Sequence, residues 1–388
     1  MHPLPPADPL KKGLYVHVPF CASTCDFCAF YQEKPRKAQI EEYLAGIETE
    51  LALYAHEGPL DIDTIFFGGG TPGILTAEQW EKLGKRLLTQ LKHPPKEWTV
   101  EMAPSTVKKD KLLIMKDLGV TRISMGVQSF KPHLLEALGR LHTPKQIYEA
   151  YEKLQDAGFQ SINLDLMFAL PGQTLEENTQ DLKEAFRLNP QHISTYCLTF
   201  EEDTALYLKL SKGLIKRDET QELALYENTW ALLKAQGYLQ YEVSNFSKPG
   251  HECLHNVHTW EMQDWLGLGP SAASQWQGKR FSHTASLPKW LEAIQQAPLS
   301  FQDCQSLDDS ILATDACIFG LRMTQGIDLV ALQQRFPLGL WEKLERLWAR
   351  LETEGFLERV TEPTRQCIRL THQGRLLADA VGERIYKV

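Results

Sequence analysis

Three cysteines fall within one eight-residue window, Cys21, Cys25 and Cys28, directly after the apolar run Gly13-Leu14-Tyr15-Val16-His17-Val18-Pro19-Phe20. Thiolates so closely spaced in one flexible segment can wrap a single 4Fe-4S cube, holding three of its irons and leaving the fourth open. A structural zinc site wants four closed ligands, and no second Cys-x-x-Cys pair follows. The other five cysteines, Cys197, Cys253, Cys304, Cys317 and Cys367, are scattered without the spacing of a disulfide framework. The spacing therefore favours an iron–sulfur cluster over zinc, and both over three inert buried thiols.

A second chemistry-bearing segment is Gly68-Gly69-Gly70-Thr71-Pro72. Consecutive glycines let backbone approach a ligand where any Cβ would clash; the plain alternative is a tight strand-to-helix loop. Polar residues stand near the ends of further apolar runs: Glu101 in Val100-Glu101-Met102, Gln128 in Gly126-Val127-Gln128, and Asp165 in Asn163-Leu164-Asp165-Leu166. Arg140 follows in Gly139-Arg140-Leu141-His142. Taken singly, Glu101 and Asp165 also read as satisfied acids and Arg140 as a surface charge.

The elements that must position these residues alternate. Strands are expected over Leu14–Val18, Thr64–Phe67, Trp98–Met102, Arg122–Gly126, Ile162–Met167 and His192–Leu198. Between them, Ile40, Tyr43, Leu44, Ile47 and Leu51 share one helical face, and Thr76-Ala77-Glu78-Gln79 reads as a capping box. Helical patterns also cover Lys108–Leu118, Lys145–Ala157 and Leu175–Leu188. Six β-α alternations imply parallel strands with right-handed crossovers, in an open sheet or a full or partial barrel. Residues 199–300 are less regular, with a helix near Glu219–Gln236. From about 308 come helices over Ile311–Met323 and Leu340–Glu354, a hairpin from Leu357 to Leu370 and a closing helix over Thr371–Ile385, a winged-helix-like unit. The expected division is a tail over 1–12, a βα unit over 13–200, an extension over 201–300 and a small domain over 301–388.

At 388 residues, 43% hydrophobic and 23% charged, the chain has the composition of a soluble globular protein. A net charge of −9 argues against a nucleic-acid surface, so the C-terminal unit is expected to be inert or to contact protein. No run reaches the ~18 apolar residues of a membrane span, so an integral membrane protein is not expected. The start, Met1-His2-Pro3-Leu4-Pro5-Pro6-Ala7-Asp8-Pro9, lacks the apolar core of a signal peptide. The reducing cytoplasm is the expected location.

The cysteine spacing, with Phe27 before the third cysteine and Gly68–Pro72 one βα unit later, resembles the radical S-adenosylmethionine (SAM) superfamily. With Glu101, Gln128, the Leu138–His142 segment, Asp165 and Leu170-Pro171-Gly172-Gln173-Thr174, it is similar in particular to the oxygen-independent coproporphyrinogen III oxidase-like family. The resemblance implies a partial (β/α)6 radical SAM barrel with a small C-terminal winged-helix-like domain. It implies a 4Fe-4S cluster on Cys21, Cys25 and Cys28, with SAM chelating the open iron. Tyr15, Phe27, Gly69, Gly70, Thr71, Glu101, Gln128, Arg140 and Asp165 would occupy the family's SAM-binding positions. Carboxylates and amides can accept from an ammonium and from ribose hydroxyls, and an arginine can grip a carboxylate through two hydrogen bonds.

Two departures select a branch. The oxidase carries a fourth cysteine where this chain has Phe30, and it has a long N-terminal extension where only about a dozen residues precede the first strand here. Both point to the shorter, oxidase-like heme chaperones, and so to heme as cargo and to heme-receiving proteins as partners, membrane respiratory enzymes among them. The alternative is a radical enzyme, the oxidase itself or an oxidase-like methyltransferase, with the oxidase disfavoured by the same departures. His255-Asn256-Val257-His258-Thr259-Trp260 resembles the chaperones' heme-associated segment, with Thr259 in place of tyrosine, and relatives often carry histidine at the Ala273 position. His255 would offer a neutral imidazole to heme iron, with His258 next in rank; equally, His255 and Asn256 would hydrogen-bond a loop beneath the barrel with Trp260 in the core. His17 reads as packed and hydrogen-bonded near the cluster.

Overall fold

The structure, a computed structural model, describes residues 11–296, 299–336, 339–362 and 365–388. Most of the expected N-terminal tail and, within the expected hairpin, residues 363–364 lie outside the described residues. Six parallel strands, β1 (Lys12–Val18), β2 (Thr64–Gly69), β3 (Glu97–Met102), β4 (Arg122–Gln128), β5 (Ser161–Phe168) and β6 (His192–Cys197), lie side by side in chain order. Their crossovers are α1 (Lys37–Tyr54), α2 (Ala77–Leu88), α3 (Lys109–Leu118), α4 (Pro132–Ala137), α5 (Pro144–Ala157) and α6 (Leu175–Leu188). The starts of α2, α5 and α6 are set locally: Thr76, Thr143 and Thr174 each accept from a backbone N–H three residues on. The Gln79, Gln146 and Glu177 side chains reach back to complete capping boxes.

Successive strand residues face opposite sides, and here the two sides differ in chemistry. Leu14, Val16, Ile65, Phe67, Trp98, Val100, Ile123, Met125, Ile162, Leu164 and Ile193 are buried in the main core, where Ile47 and Leu51 of α1 and Trp80 and Leu83 of α2 join them. The opposite face carries Thr64, Thr99, Glu101, Ser124, Asn163, Asp165, His192 and Ser194. A sheet that is oily under its helices and polar on its other face cannot fill that face with a second core. It presents an interior suited to a polar ligand.

The sheet does not stop at six strands. After α7 (Ala205–Ser211) and α8 (Glu219–Ala235), β7 (Leu239–Gln240) and β8 (Asn245–Ser247) extend it antiparallel beyond β6. After α9 (Leu254–Trp260), β9 (Asp264–Leu268) pairs parallel with β1. There β10 (Ala273–Trp276), β11 (Lys279–Ser282) and β12 (Gln302–Ser306) complete twelve strands, with α10 (Leu287–Ala293) between the last two. Residues 302–306, grouped with the C-terminal unit on sequence, thus pair with Lys279–Ser282. The remaining chain runs α11 (Asp309–Arg322), β13 (Ile327–Asp328), α12 (Leu329–Arg335), α13 (Leu340–Thr353), β14 (Leu357–Glu362), β15 (Arg365–Leu370), α14 (His372–Leu376) and α15 (Ala378–Tyr386). Its three-stranded antiparallel sheet and helices enclose a separate core around Cys317, Leu344, Trp348, Leu351, Ile368 and Ile385. The single closing helix expected over Thr371–Ile385 is broken at Leu377.

Candidate functional site

The cysteine loop leaves the carboxyl end of β1 and is tied shut at its base, where Cys21 N donates to Glu33 O (3.0 Å) and Glu33 N to Pro19 O (2.6 Å). Its middle is held by Asp26, whose N–H donates to Leu138 O (3.0 Å) and whose carbonyl accepts from Leu206 N (2.8 Å). The Asp26 carboxylate takes Lys209 Nζ at 2.6 Å. Gly139 is at φ 69° in this contact, and a Cβ there would approach Asp26 Oδ1 to 2.8 Å. Phe27 packs on a small apolar cluster that includes Leu138, Leu170 and Leu206. The three thiols are left partly exposed at one opening. Burial pushes the Cys21 and Cys28 thiols up, and the Arg140 charge opposes this.

The glycine loop lies against that strand end. Gly70 N donates to Val18 O (2.9 Å) and Thr71 N to Phe20 O (2.8 Å), while Thr71 Oγ1 sits 3.4 Å from Cys21 Sγ. A Cβ on Gly70 would come within 2.6 Å of Val18 O, and one on Gly69 would collide with the His17 ring. The glycines therefore give the loop its close approach to β1 and also expose backbone to the opening. Gly69 N donates to Glu101 Oε2 (3.2 Å). His17 is buried, with Nδ1 3.0 Å from the Tyr15 hydroxyl and Nε2 3.1 Å from Tyr31 O.

The remaining polar residues converge from neighbouring strand ends. Burial and the facing Asp165 raise the Glu101 carboxyl to about 8. Burial also raises Asp165, while hydrogen bonds from Ser124 Oγ (2.9 Å) and Asn163 Nδ2 (2.8 Å) work the other way. Gln128 stands at φ 66° after a register shift in the β4–β5 pairing, a bulge that re-aims the strand end. Arg140 donates to Gly126 O (2.8 Å) and points Nη1 at Cys25 Sγ (3.3 Å).

Together these side chains line a cavity of about 590 Å³ at the carboxyl ends of the strands, a size suited to a small-molecule ligand. Cys21, Cys25, Cys28, Phe27, Gly69, Gly70, Thr71, Glu101, Gln128, Arg140 and Asp165 are all on its wall. Tyr15 lies beneath, its phenol pushed up by burial and by Glu101. The cavity extends past the residues named from sequence, along Met102, Ser105, Met167, Tyr196, Cys197 and Glu201. Phe30, 67% exposed, and Leu141, 75% exposed, also line it. Nothing in the spacing of these added residues marks them; only the fold collects them. Asp26 and Lys209 escaped the sequence reading for the same reason.

The donor set fits a cluster better than a single ion. Among the described residues no three His, Cys, Asp or Glu side chains converge on one metal-sized point. The three thiols instead share one cavity wall, as a cube needs when each ligand takes a different corner. Asp165 and Glu101, on the same cavity, can offer carboxylates to an ammonium or sulfonium, Glu101 once it gives up the proton that burial makes it hold to about 8, and Arg140 can offer a cation to a carboxylate.

His255 is not brought to this site. It sits in α9 against the first residues of β1 and β2, at the other end of the strands from the cysteines. Its Nδ1 lies 3.0 Å from Thr64 Oγ1, its ring 5.3 Å from Phe66 and its N–H on Glu97 Oε1 (3.1 Å). Burial lowers its imidazole to about 4, so it is neutral at physiological pH. Trp260 packs against Phe319 and under Arg322 of α11. The hydrogen-bonded arrangement beneath the strands is what this structure shows.

Two family models match the chain, the radical SAM superfamily over residues 15–185 and the HemN C-terminal domain over residues 312–377. The heme chaperone HemW of Bacillus subtilis (strain 168) is 33% identical over 374 residues, 95% of this chain and 98% of that protein. The chain belongs to the HemW family. The HemW of Escherichia coli (strain K12) is 38% identical over 267 residues, 67% of this chain and 69% of its own length. The coproporphyrinogen III oxidase HemN of Escherichia coli, described as a radical SAM enzyme, superposes with a TM-score of 0.85 at 24% identity. It covers 97% of this chain and 90% of its own, and shows a shared α/β fold. Membership of the radical SAM superfamily implies a 4Fe-4S cluster and SAM. Among the described residues no helix is long and apolar enough to cross a membrane.

Proposed function

We propose that this chain is a cytoplasmic heme chaperone that binds a 4Fe-4S cluster through Cys21, Cys25 and Cys28, binds SAM through the surrounding strand ends, and passes heme to heme-dependent respiratory proteins. The observation that carries the reading is the joint one: a three-thiol loop and a glycine loop line one cavity together with Glu101, Arg140 and Asp165, in a chain 33% identical to a HemW over 95% of its length. The cluster, once bound, supplies an iron with an open coordination position. This chain's own residues then do the holding: Arg140 and Gln128 orient polar groups, and Glu101 and Asp165 balance positive charge. Phe30 replaces a thiol with an exposed apolar ring at the cavity mouth, next to Leu141, and apolar surface of this kind suits a porphyrin face.

Anaerobically reconstituted protein titrated with heme should develop a Soret band at one heme per chain and pass that heme to an apo heme protein. Binding no better than that of an unrelated protein would refute the reading. Comparing His255→Ala with Phe30→Asp locates the heme: the first weakens binding if α9 supplies the ligand, the second if the cavity mouth does. A radical reaction on a small substrate is the second reading, supported by the stretch of cavity along Met167, Tyr196, Cys197 and Glu201 beyond the SAM residues. Protoporphyrinogen formed from coproporphyrinogen by reduced protein would establish it.

A further inference from the structure

Behind the cavity wall a directional chain of hydrogen bonds runs down the polar face of the sheet. Register places its members side by side: Ser124 of β4 opposite Asn163 of β5, and Asn163 opposite His192 of β6. The Asp165 carboxylate only accepts, so Asn163 must turn its amide nitrogen toward it, at 2.8 Å. The Asn163 carbonyl oxygen then faces away, accepting from Ser194 N (3.1 Å) and from His192 Nδ1 (2.6 Å). His192 is therefore protonated on Nδ1, which leaves Nε2 to accept from the Tyr241 hydroxyl at 2.8 Å. The Tyr241 oxygen accepts in turn from the backbone N–H of Cys253, at 3.3 Å. A carboxylate at one end and a peptide N–H at the other fix every orientation between them.

We propose that Asn163, His192 and Tyr241 are positioning residues that hold the Asp165 carboxylate in its ligand-accepting orientation and tie it to the backbone that begins α9. Asn163, His192 and Tyr241 are buried outside the cavity wall and act only through Asp165. Burial and the nearby Arg122 charge keep the His192 imidazole neutral, as a single-proton relay of orientation requires. Without His192, the Asn163 oxygen keeps only the longer 3.1 Å bond from Ser194 N, so the amide is held less firmly and the orientation it passes to Asp165 loosens. The claim rests on the reading of Asp165 as a SAM contact.

The test is SAM titration of the reconstituted holoprotein, with iron content measured on each sample. His192→Ala should weaken SAM by about tenfold, the scale of one misoriented charge-assisted hydrogen bond, with cluster iron unchanged. His192→Asn, whose amide nitrogen can occupy the Nδ1 position, should stay near wild type. In an Asp165→Ala background, His192→Ala should have no further effect, because a residue acting through Asp165 has nothing left to position. Unchanged SAM affinity in folded His192→Ala, or equal losses in both backgrounds, overturns the proposal. Should His192→Ala not fold, Tyr241→Phe, which keeps the ring but removes the donor to His192 together with the acceptor of the Cys253 N–H, carries the same comparison. Nitrogen NMR of histidine-labelled protein reads the chain without SAM: a proton on Nε2 of His192 overturns the proposal by itself. Wild-type protein that binds no SAM while showing the Nδ1 tautomer would instead remove the functional reading on which the proposal rests, and the proposal with it.

Discussion

Cys25 and Arg140 meet at 3.3 Å, and the pair separates two roles that a single substitution scan would blur. Cys25→Ala should abolish the cluster, seen as loss of iron, sulfide and brown visible absorbance, with the fold intact because Cys25 is partly exposed. Arg140→Ala should keep the cluster and weaken SAM by about 1.5–3 kcal/mol, the value of a hydrogen bond to a charged group, read by calorimetric titration. Glu101 makes the site pH-dependent. Burial and Asp165 raise it from 4.5 to about 8, so in that window the folded chain keeps a proton that the unfolded chain has released. Its contribution to stability is full below about 4.5 and is lost as pH rises through about 8. SAM is cationic at the sulfonium and ammonium and favours the ionised carboxylate, so its affinity should climb with pH by up to about tenfold per unit until about 8 and level off above. A flat calorimetric profile from about pH 6 to 9 would contradict the placement of Glu101 beside the ligand.

Helix α9 is an element whose position depends on one buried acid. Glu97 forms an ion pair with Arg122 at 3.1 Å and accepts from the N–H groups of Leu254 and His255. Arg122 in turn donates to the carbonyls of His251 and Glu252. Glu97→Ala should cost about 3–5 kcal/mol, because it strands a buried guanidinium, and should appear as a large drop in Tm; a drop of only a degree or two would mean α9 is held by something else. Such long-range anchors were not legible in the sequence, whereas local ones were. The capping box at Thr76 and the helix over Leu175–Leu188 were readable to the residue because their signals lie within a few positions of one another. Strands β7–β12 were not. They run two to five residues, too short for a two-residue period to register, and several are held by edge pairing rather than by a buried apolar face. Strand β12 is exposed along its whole length, so no hydrophobic pattern marks it. The site divided the same way. The cysteines and glycines carry their chemistry in their spacing, but the burial of His255 depends on Thr64, Phe66 and Glu97, far off in sequence.

Across the whole molecule, the oily face of the central sheet builds the core under its helices while the polar face runs from the cofactor cavity down to the His192–Tyr241 layer. The C-terminal unit is fastened to that lower end. Thr324 N donates to Tyr241 O (3.0 Å), and Arg322 lies 5.0 Å above the Trp260 ring. The unit is also held along α8, where His372 Nε2 lies 3.2 Å from Glu227 and its ring 5.3 Å from Trp230. All of it presupposes that a three-thiol cluster with one open iron forms at the top. Mössbauer spectroscopy of anaerobically reconstituted, iron-57-labelled protein, recorded before and after SAM, tests this most directly. The account predicts four irons per chain, one of which changes its signal when SAM binds and does not change in Arg140→Ala at the same SAM concentration. A site with fewer than four irons, or four irons that all ignore SAM, would contradict it.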